Sequence, residues 1–167
     1  MPVVDAQREA DEYRNGEDRP LEGYVLVMAV FAALVSGAAG IAALTRRPVP
    51  ALGPWEVVLL AAGTHKLSRT ISKDSVTAPL RAPFTRYTGR GGPAEVTEEV
   101  RAASGLRHSL GELLTCPFCL DVWISTGFAL GWVFAPRPTR LVAATFTALT
   151  GADFLQLAYA RAQQAAS

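Results

Sequence analysis

The sequence is poor in the residues and motifs that mark common enzyme sites. It has two cysteines and two histidines in 167 residues, and only 19% of its residues are charged. It contains no glycine-rich phosphate loop, no dinucleotide fingerprint, no HExxH zinc motif and no Ser-His-Asp order. The arginine-rich stretch 81–107 lacks the clustered aromatic residues of a single-strand nucleic-acid surface. The sequence therefore carries no signal for these enzyme classes, and we predict no nucleic-acid partner.

Long apolar runs are what the sequence has instead. Half of its residues are hydrophobic and its mean hydropathy is +0.20, which is high for a soluble domain of this size. The apolar residues are grouped in runs of about 20, the length of a helix that crosses a hydrocarbon core of about 30 Å. We therefore predict an all-α integral membrane protein with four transmembrane helices, the second of them short, in the bacterial plasma (inner) membrane.

The apolar runs divide the chain into a leader, a first helix, a larger membrane domain and a tail. The leader has six acidic residues and three arginines in its first 20 positions, so we expect it to be disordered. No basic region precedes the first apolar run, which argues against a secretory signal peptide. The predicted segments are the leader 1–22, the first helix 23–45, the membrane domain 54–160 and the tail 161–167. Within the domain they are a helix 54–71, a cytoplasmic interfacial loop 72–115, and helices 117–135 and 139–160.

The second apolar run is the weakest prediction of a span. Pro54 suits the first position of a helix, but only nine largely apolar residues follow before Thr64. We expect this helix to cross with the long side chains of Lys66 and Arg69 extending toward the headgroups. We also expect the three tryptophans to lie at the membrane interfaces.

The polar stretch 72–115 is predicted to lie along the cytoplasmic membrane surface. Pro79 and Pro83 forbid one regular helix there, and short amphipathic helices are expected over 94–104 and 106–114. We expect three arginines of this stretch to contact lipid phosphates. They are Arg81, Arg86 and Arg90.

The distribution of basic residues predicts the orientation. With four spans, 12 of the 16 lysines and arginines fall on the side that holds both chain ends and the polar segment 64–115. Cytoplasmic loops carry the excess of such residues. Both chain ends are therefore predicted to lie in the cytoplasm.

Small residues at four-residue spacing predict packing faces on the spans. Such residues let helix backbones approach closely in lipid. One line runs through Gly37 and a neighbouring one through Gly40, while Gly127 and Gly131 form a GxxxG pattern in the third span. An alanine-rich helix without a specific partner is the alternative interpretation.

Polar residues inside the predicted spans are expected to gather on the cytoplasmic side. Charged residues in a span usually face the interior of the bundle or a partner. The candidates are Asp121 in the third span, with Asp153 and Gln156 in the fourth. Helical geometry separates Asp121 from Cys119 by about 160°, so the cysteines and Asp121 are expected to make different contacts. Asp121 with Asp153, or either aspartate with Lys66 or Arg69, is a candidate pair that holds helices together.

Cys116 and Cys119 allow three interpretations. With Pro117 in the first helical position, Cys116 becomes the N-cap, where the helix dipole favours a thiolate and a redox pair with Cys119. Alternatively, the two cysteines and the two histidines, His65 and His108, form a Cys₂His₂ zinc set, or two chains share four thiolates. The third interpretation is packing of two reduced thiols. Zinc is thus a possible cofactor, and the sequence assures none.

Three strings between His65 and Trp123 resemble the bacterial membrane family known as domain of unknown function 1360. They are His65-Lys66-Leu67-Ser68-Arg69, then Lys73-Asp74-Ser75-Val76-Thr77-Ala78-Pro79-Leu80-Arg81-Ala82-Pro83-Phe84-Thr85-Arg86, then Gly111-Glu112-Leu113-Leu114-Thr115-Cys116-Pro117-Phe118-Cys119 with Trp123. The resemblance covers roughly 55–160. It implies a small multi-spanning bacterial protein, with relatives linked to sporulation, and no established activity.

Together these features predict a non-enzymatic membrane component or scaffold. It would contact membrane lipids and pack with itself or with a partner membrane protein. Three alternatives remain open: a zinc-stapled membrane module, a thiol–disulfide redox protein, and a small oligomeric transporter that uses Asp153.

Overall fold

The structure, a computed structural model, describes residues 2–17, 19–101 and 105–166. In these residues it has seven α-helices, one 3₁₀ turn and a two-stranded hairpin. The helices are α1 (Pro2–Arg14), α2 (Leu21–Leu44), α3 (Pro54–Ser72), α4 (Ala78–Arg81), α5 (Gly105–Thr115), α6 (Pro117–Phe134) and α7 (Pro136–Ala166). The 3₁₀ turn is Ser75–Thr77, and the strands are β1 (Thr85–Arg90) and β2 (Val96–Val100).

Three of the described helices, α2, α6 and α7, are long and apolar enough to cross a membrane. The prediction of a mostly helical protein with membrane-length apolar helices is therefore confirmed. The remaining predicted span, the second in chain order, corresponds to α3, which is about 28 Å long at 1.5 Å per residue. It is not among the three, since it contains Glu56, Lys66 and Arg69. Whether α3 crosses stays a prediction.

Two helix starts follow directly from the local sequence. Pro54 occupies the first turn of α3, as predicted, and the Glu56 carboxylate accepts a hydrogen bond from the Gly53 N–H at 3.1 Å. Cys116 is the N-cap of α6 and Pro117 is in its first turn. Proline lacks the N–H that a first helical turn leaves unpaired, so it starts a helix without losing a hydrogen bond.

The core lies where α3, α6 and α7 meet. It is formed by Leu59, Phe128, Trp132 and Ala143, all at most 8% exposed. Trp132 is thus a core residue, and its predicted depth at the membrane interface stays a prediction. The α3 and α7 backbones approach closely, since a Cβ on Gly63 would lie 3.0 Å from the Ala143 carbonyl oxygen.

Two threonine hydroxyls connect α7 to the α3 backbone. Thr147 donates to the Leu59 carbonyl oxygen and Thr150 to the Ala62 carbonyl oxygen, each at 2.9 Å. Hydroxyls that bond across helices are a common feature of packing in lipid. These contacts fix the register of α3 against α7.

Ion pairs show that α3 and α7 run in the same direction. Arg140 near the start of α7 lies 3.7 Å from Glu56 near the start of α3, and Asp153 lies 2.8 Å from Lys66 further along both helices. The helix α6 joins α7 through Ala135 and runs the opposite way. The end of α3, the start of α6 and the hairpin therefore share one end of the bundle, which we call the polar end.

Helix α2 joins the polar end through its contact with α5. A Cβ on Gly23 would collide with the Ser109 hydroxyl of α5, so these two helices are in close contact at the start of α2. Further along α2, the Phe31 and Trp123 rings meet edge to face, with centroids 5.0 Å apart. The helix α2 therefore starts at the same end as α6.

The hairpin replaces a helix that the sequence predicted. The strands pair antiparallel from Thr85 opposite Val100 to Arg90 opposite Val96, with a bulge at Thr88. The expected helix over 94–104 is therefore wrong at 96–100, and residues 102–104 lie outside the described residues. The expected helix 106–114 is confirmed as α5. The helix α1 forms where the sequence predicted a disordered leader, and α7 extends beyond the predicted end at residue 160.

Candidate functional site

The polar end contains a cleft between α3, α7 and the turn of the hairpin. Its volume is about 540 Å³, within the usual range of small-ligand pockets. We call it the α3–α7 cleft. Among its lining residues are His65, Lys66, Arg69, Asp74, Glu95, Asp153, Phe154, Gln156, Leu157 and Ala160.

Two ion pairs organise this cleft. The Lys66 ammonium lies 2.8 Å from the Asp153 carboxylate, with their side chains 16% and 49% exposed. Arg69 donates from Nε and Nη2 to a single Glu95 oxygen at 3.0 and 2.6 Å. The first pair joins α3 to α7, and the second joins α3 to the hairpin. The sequence identified Asp153, Gln156 and both basic residues, and it offered Lys66 or Arg69 as partners of Asp153.

Arg81 holds the hairpin against α3 and does not reach solvent or lipid. Its side chain is fully buried and pairs with Glu98, whose side chain is 6% exposed, at 2.7 Å. Its remaining donors reach the Ile71 and Asp74 carbonyl oxygens and the Thr77 hydroxyl. The predicted contact of Arg81 with lipid phosphate is therefore wrong, because all five of its N–H groups have protein partners. Arg86 and Arg90 are exposed on β1, and their contact with lipid stays a prediction.

Cys116 and Cys119 lie together at the start of α6. The Cys116 sulfur accepts a hydrogen bond from the Cys119 N–H at 3.3 Å, and the two sulfurs are 2.7 Å apart. Both cysteines are free, and Cys119 is exposed. The structure thus has Cys116 at the N-cap, as the sequence predicted, with a second thiol within reach.

The histidines do not join the cysteines. The His108 Nε2 lies 3.3 Å from Glu112, while His65 lines the α3–α7 cleft. No group of three or more potential metal ligands occurs in the described part of the chain. The Cys₂His₂ set within one chain is therefore not assembled, and four thiolates shared by two chains stay a prediction.

Glu112 links the leader, α2 and α5. It accepts a hydrogen bond from the Tyr24 hydroxyl, lies 3.5 Å from Arg19, and is paired with His108. Arg19 lies just before α2. Its pKa is raised above the ordinary value, mainly by the hydrogen bond with the Tyr24 side chain and then by the negative charges nearby. This cluster joins the start of α2 to α5 and was not expected from the sequence.

Asp121 lies apart from Asp153, in a shallow notch between α3 and α6. The notch has a volume of about 380 Å³ and is also lined by Thr64, His65 and Ser125. One Asp121 oxygen and the Thr64 hydroxyl are buried and have no hydrogen-bond partner among the described residues. The single polar site predicted around both cysteines and both aspartates is thus divided into three places.

The predicted packing glycines differ in what surrounds them. A Cβ on Gly131 would collide with Thr139, so this glycine permits the tight connection of α6 to α7. A Cβ on Gly37, Gly40 or Gly127 would meet no atom within 4 Å. Their packing role therefore stays a prediction that needs another molecule.

Glu95 and Glu98 are the site residues that sequence reasoning missed. Both lie in the stretch that was assigned to a helix. Gly91, Gly92 and Pro93 between two short β-prone runs are the usual signal for a hairpin, and that signal would have placed Glu98 across from β1. The partner of Arg81 would then have been apparent.

Comparison with known proteins supports the family resemblance. The sequence model described as "Protein of unknown function (DUF1360)" matches residues 59–159. The chain is 35% identical over 77 residues to a Bacillus subtilis protein named "Sporulation protein YjcA". That alignment covers 44% of this chain and 64% of the relative. No solved structure matches the chain.

Proposed function

The chain belongs to the DUF1360 family of proteins of unknown function, and we propose from this premise that it is a non-enzymatic, multi-pass component of the bacterial plasma membrane. In this proposal α2, α3, α6 and α7 cross the bilayer, and the hairpin and both chain ends lie in the cytoplasm. Three helices of membrane length and the family membership support the coarser part of the proposal.

The burial pattern of α3 supports the proposal that this helix also crosses the membrane. Three hydroxyl residues of this helix are buried in the bundle, namely Thr64, Ser68 and Ser72. Three apolar residues near its start are at least 50% exposed, namely Trp55, Val57 and Val58. A helix that turns hydroxyls inward and apolar side chains outward suits a hydrocarbon solvent. This pattern supports a crossing α3 despite its three charged residues.

A topology measurement tests the proposal. In a Cys116→Ser/Cys119→Ser background, we expect a membrane-impermeant maleimide to label Arg47→Cys and Arg137→Cys in intact spheroplasts. Arg8→Cys, Arg90→Cys and Arg161→Cys should be labelled only after the membrane is permeabilised, because the basic segments stay in the cytoplasm. Labelling of Arg8→Cys from outside, with Arg47→Cys protected, would show that α3 does not cross.

A scaffold role draws on the faces that this chain leaves open. Gly37, Gly40 and Gly127 lie on faces without a neighbour in the described residues, and small residues promote close approach of helices in lipid. We include in the proposal that these faces pack against a second copy or another membrane protein. Exposed Arg86 and Arg90 would meanwhile contact lipid phosphates beside the hairpin.

The physiological process is suggested only by a relative. The Bacillus subtilis protein is named a sporulation protein, and the alignment covers 64% of its length. We propose a membrane role in sporulation on that basis. The proposal extends to this process alone, because the chain spans less than two thirds of the relative's length.

The paired thiols favour a second candidate function, dithiol exchange. A Cys116 thiolate would attack one sulfur of a partner's disulfide and form a mixed disulfide. A Cys119 thiolate would then displace the partner's sulfur, which leaves a Cys116–Cys119 disulfide and two thiols on the partner. Two electrons pass from this chain to the partner. The Cys119 N–H donates a hydrogen bond to the Cys116 sulfur, and Cys119 is exposed. Both observations support this alternative.

Glutathione disulfide provides the test of this second candidate. After equilibration with an excess of it, we expect the wild-type chain to lose both maleimide-reactive thiols and to carry no glutathione. Cys116→Ser and Cys119→Ser should each carry one glutathione instead, because neither has a second thiol to complete the exchange. Mass spectrometry of the intact chain reads both results. Two thiols that stay reduced in the wild-type protein would exclude the dithiol function.

A further inference from the structure

The α3–α7 cleft lies at the cytoplasmic boundary of the hydrocarbon core if the bundle crosses the membrane as proposed. Asp153 is 17 residues from the start of α7, or about 26 Å along the helix axis at 1.5 Å per residue. A hydrocarbon core is about 30 Å thick. Ala160, which also lines the cleft, is 24 residues from the same start, or about 36 Å along the axis. The cleft would therefore extend from the cytoplasmic edge of the hydrocarbon core into the headgroup layer.

The two ion pairs leave donors and acceptors unused. In the described residues, Arg69 has no partner for Nη1, and Lys66 has one partner for its three N–H groups. Asp153 and Glu95 each use one of two carboxylate oxygens. The cleft thus offers positive donors and negative acceptors side by side, with His65 beside them.

The charge of the lining favours a ligand that carries both signs. Two basic residues, Lys66 and Arg69, face three acidic ones, Asp74, Glu95 and Asp153. A ligand with only negative charge would have to approach the three carboxylates. A ligand with an anion and a primary ammonium a few bonds apart can satisfy both groups through charge-assisted hydrogen bonds.

One wall of the cleft is apolar and open to the outside. Phe154 of α7 is 65% exposed and Leu157 is 51% exposed, and both line the cleft together with Ala160. Such a wall suits the part of an acyl chain that lies next to the headgroup. A soluble metabolite has no acyl chain. The polar floor and the apolar wall therefore fit different parts of one amphipathic molecule.

We propose that the α3–α7 cleft binds a phosphoester with a primary ammonium group, the headgroup chemistry of an aminophospholipid. Lys66, Arg69 and His65 would hold the phosphate, and Asp153 and Glu95 would accept hydrogen bonds from the ammonium. This proposal rests on the proposed membrane topology. The membrane topology alone would not identify a ligand for the cleft.

The test uses the full chain, purified in detergent and depleted of lipid. It is mixed with micelles that contain equal amounts of dioleoyl phosphatidylethanolamine, phosphatidylglycerol and phosphatidylcholine. The lipid that stays with the protein through size exclusion is then counted by mass spectrometry. We expect phosphatidylethanolamine to be retained at least about tenfold over the other two, which corresponds to ~1.4 kcal/mol. Phosphatidylglycerol lacks the ammonium, and phosphatidylcholine lacks its N–H donors.

Two ion pairs between the same helices supply the variant and its matched control. Lys66→Gln/Asp153→Asn removes the charges of the cleft pair, and Glu56→Gln/Arg140→Gln removes those of the pair at the opposite end. We expect only the first to lose the tenfold preference, with helix content unchanged by circular dichroism. If the first variant fails to fold, Arg69→Gln/Glu95→Gln makes the same test through the hairpin pair.

Free phosphoethanolamine distinguishes the two sources of this headgroup. If free phosphoethanolamine binds as tightly as short-chain phosphatidylethanolamine, the headgroup recognition is supported and the ligand is soluble. Weaker binding, with the lipid retained, would support the membrane lipid. Equal retention of all three lipids, or a preference that survives in the cleft variants, would overturn the proposal. Since labelling of Arg47→Cys reports the topology separately, failure of the ligand proposal is distinguishable from failure of the membrane topology.

Discussion

Replacement of Glu98 with glutamine should lower the stability of the polar end by roughly 3–5 kcal/mol, the usual cost of leaving one member of a buried ion pair without its partner. Arg81 is fully buried, and Glu98 supplies its only negative partner in the described residues. The glutamine side chain keeps nearly the same shape, so the loss reports charge rather than packing. Thermal unfolding in detergent should show a midpoint lower by roughly 6–20 °C.

Glu99 provides the matched control, one residue along the same strand. Its side chain is exposed and lies opposite Arg86, so Glu99→Gln should cost no more than about 1 kcal/mol. A combined Arg81→Met/Glu98→Leu change should be far milder than Glu98→Gln, because replacement of both partners leaves no isolated charge. Equal stability of Glu98→Gln and Glu99→Gln would contradict the anchoring role of Arg81.

Replacement of Gly63 with leucine should separate α3 from α7. The atom that a Cβ would meet, at 3.0 Å, is the Ala143 backbone oxygen, which cannot turn aside as a side chain can. Overpacking of a close contact costs roughly 1–3 kcal/mol, and further loss follows if Thr147 and Thr150 no longer reach the α3 backbone. The midpoint of thermal unfolding should fall by roughly 2–12 °C.

Gly127→Leu is the control for the same substitution in an apolar helix. A Cβ there meets no atom within 4 Å, so the stability of the single chain should stay unchanged or rise slightly, because leucine is the better helix former. Its effect on self-association reports separately whether this face packs against a second copy. A loss of single-chain stability as large as that of Gly63→Leu would show that the helix faces are assigned incorrectly.

The apolar runs were sufficient to predict the long helices. Hydrophobicity over about 20 residues is a property of the chain itself and needs no neighbour. The predicted helix 23–45 corresponds to Leu21–Leu44, and 54–71 corresponds to Pro54–Ser72. The starts at Pro54 and Pro117 were also predictable, since a proline acts on the backbone of its own turn. The family could be named from short strings because these too are read from the chain itself and need no tertiary contact.

The tertiary structure decided how the polar residues are grouped. Arginine, aspartate and histidine have the same sequence signal whether they are buried in a pair or exposed to headgroups, because long-range partners set their environment. Arg81 became buried only because a hairpin brought Glu98 to it from 17 residues away, and Asp121 and Asp153 were separated because they lie on different sides of α3. The sequence by itself determined which segments are apolar helices, and the packing of α3 against its neighbours decided which charges meet in the cleft.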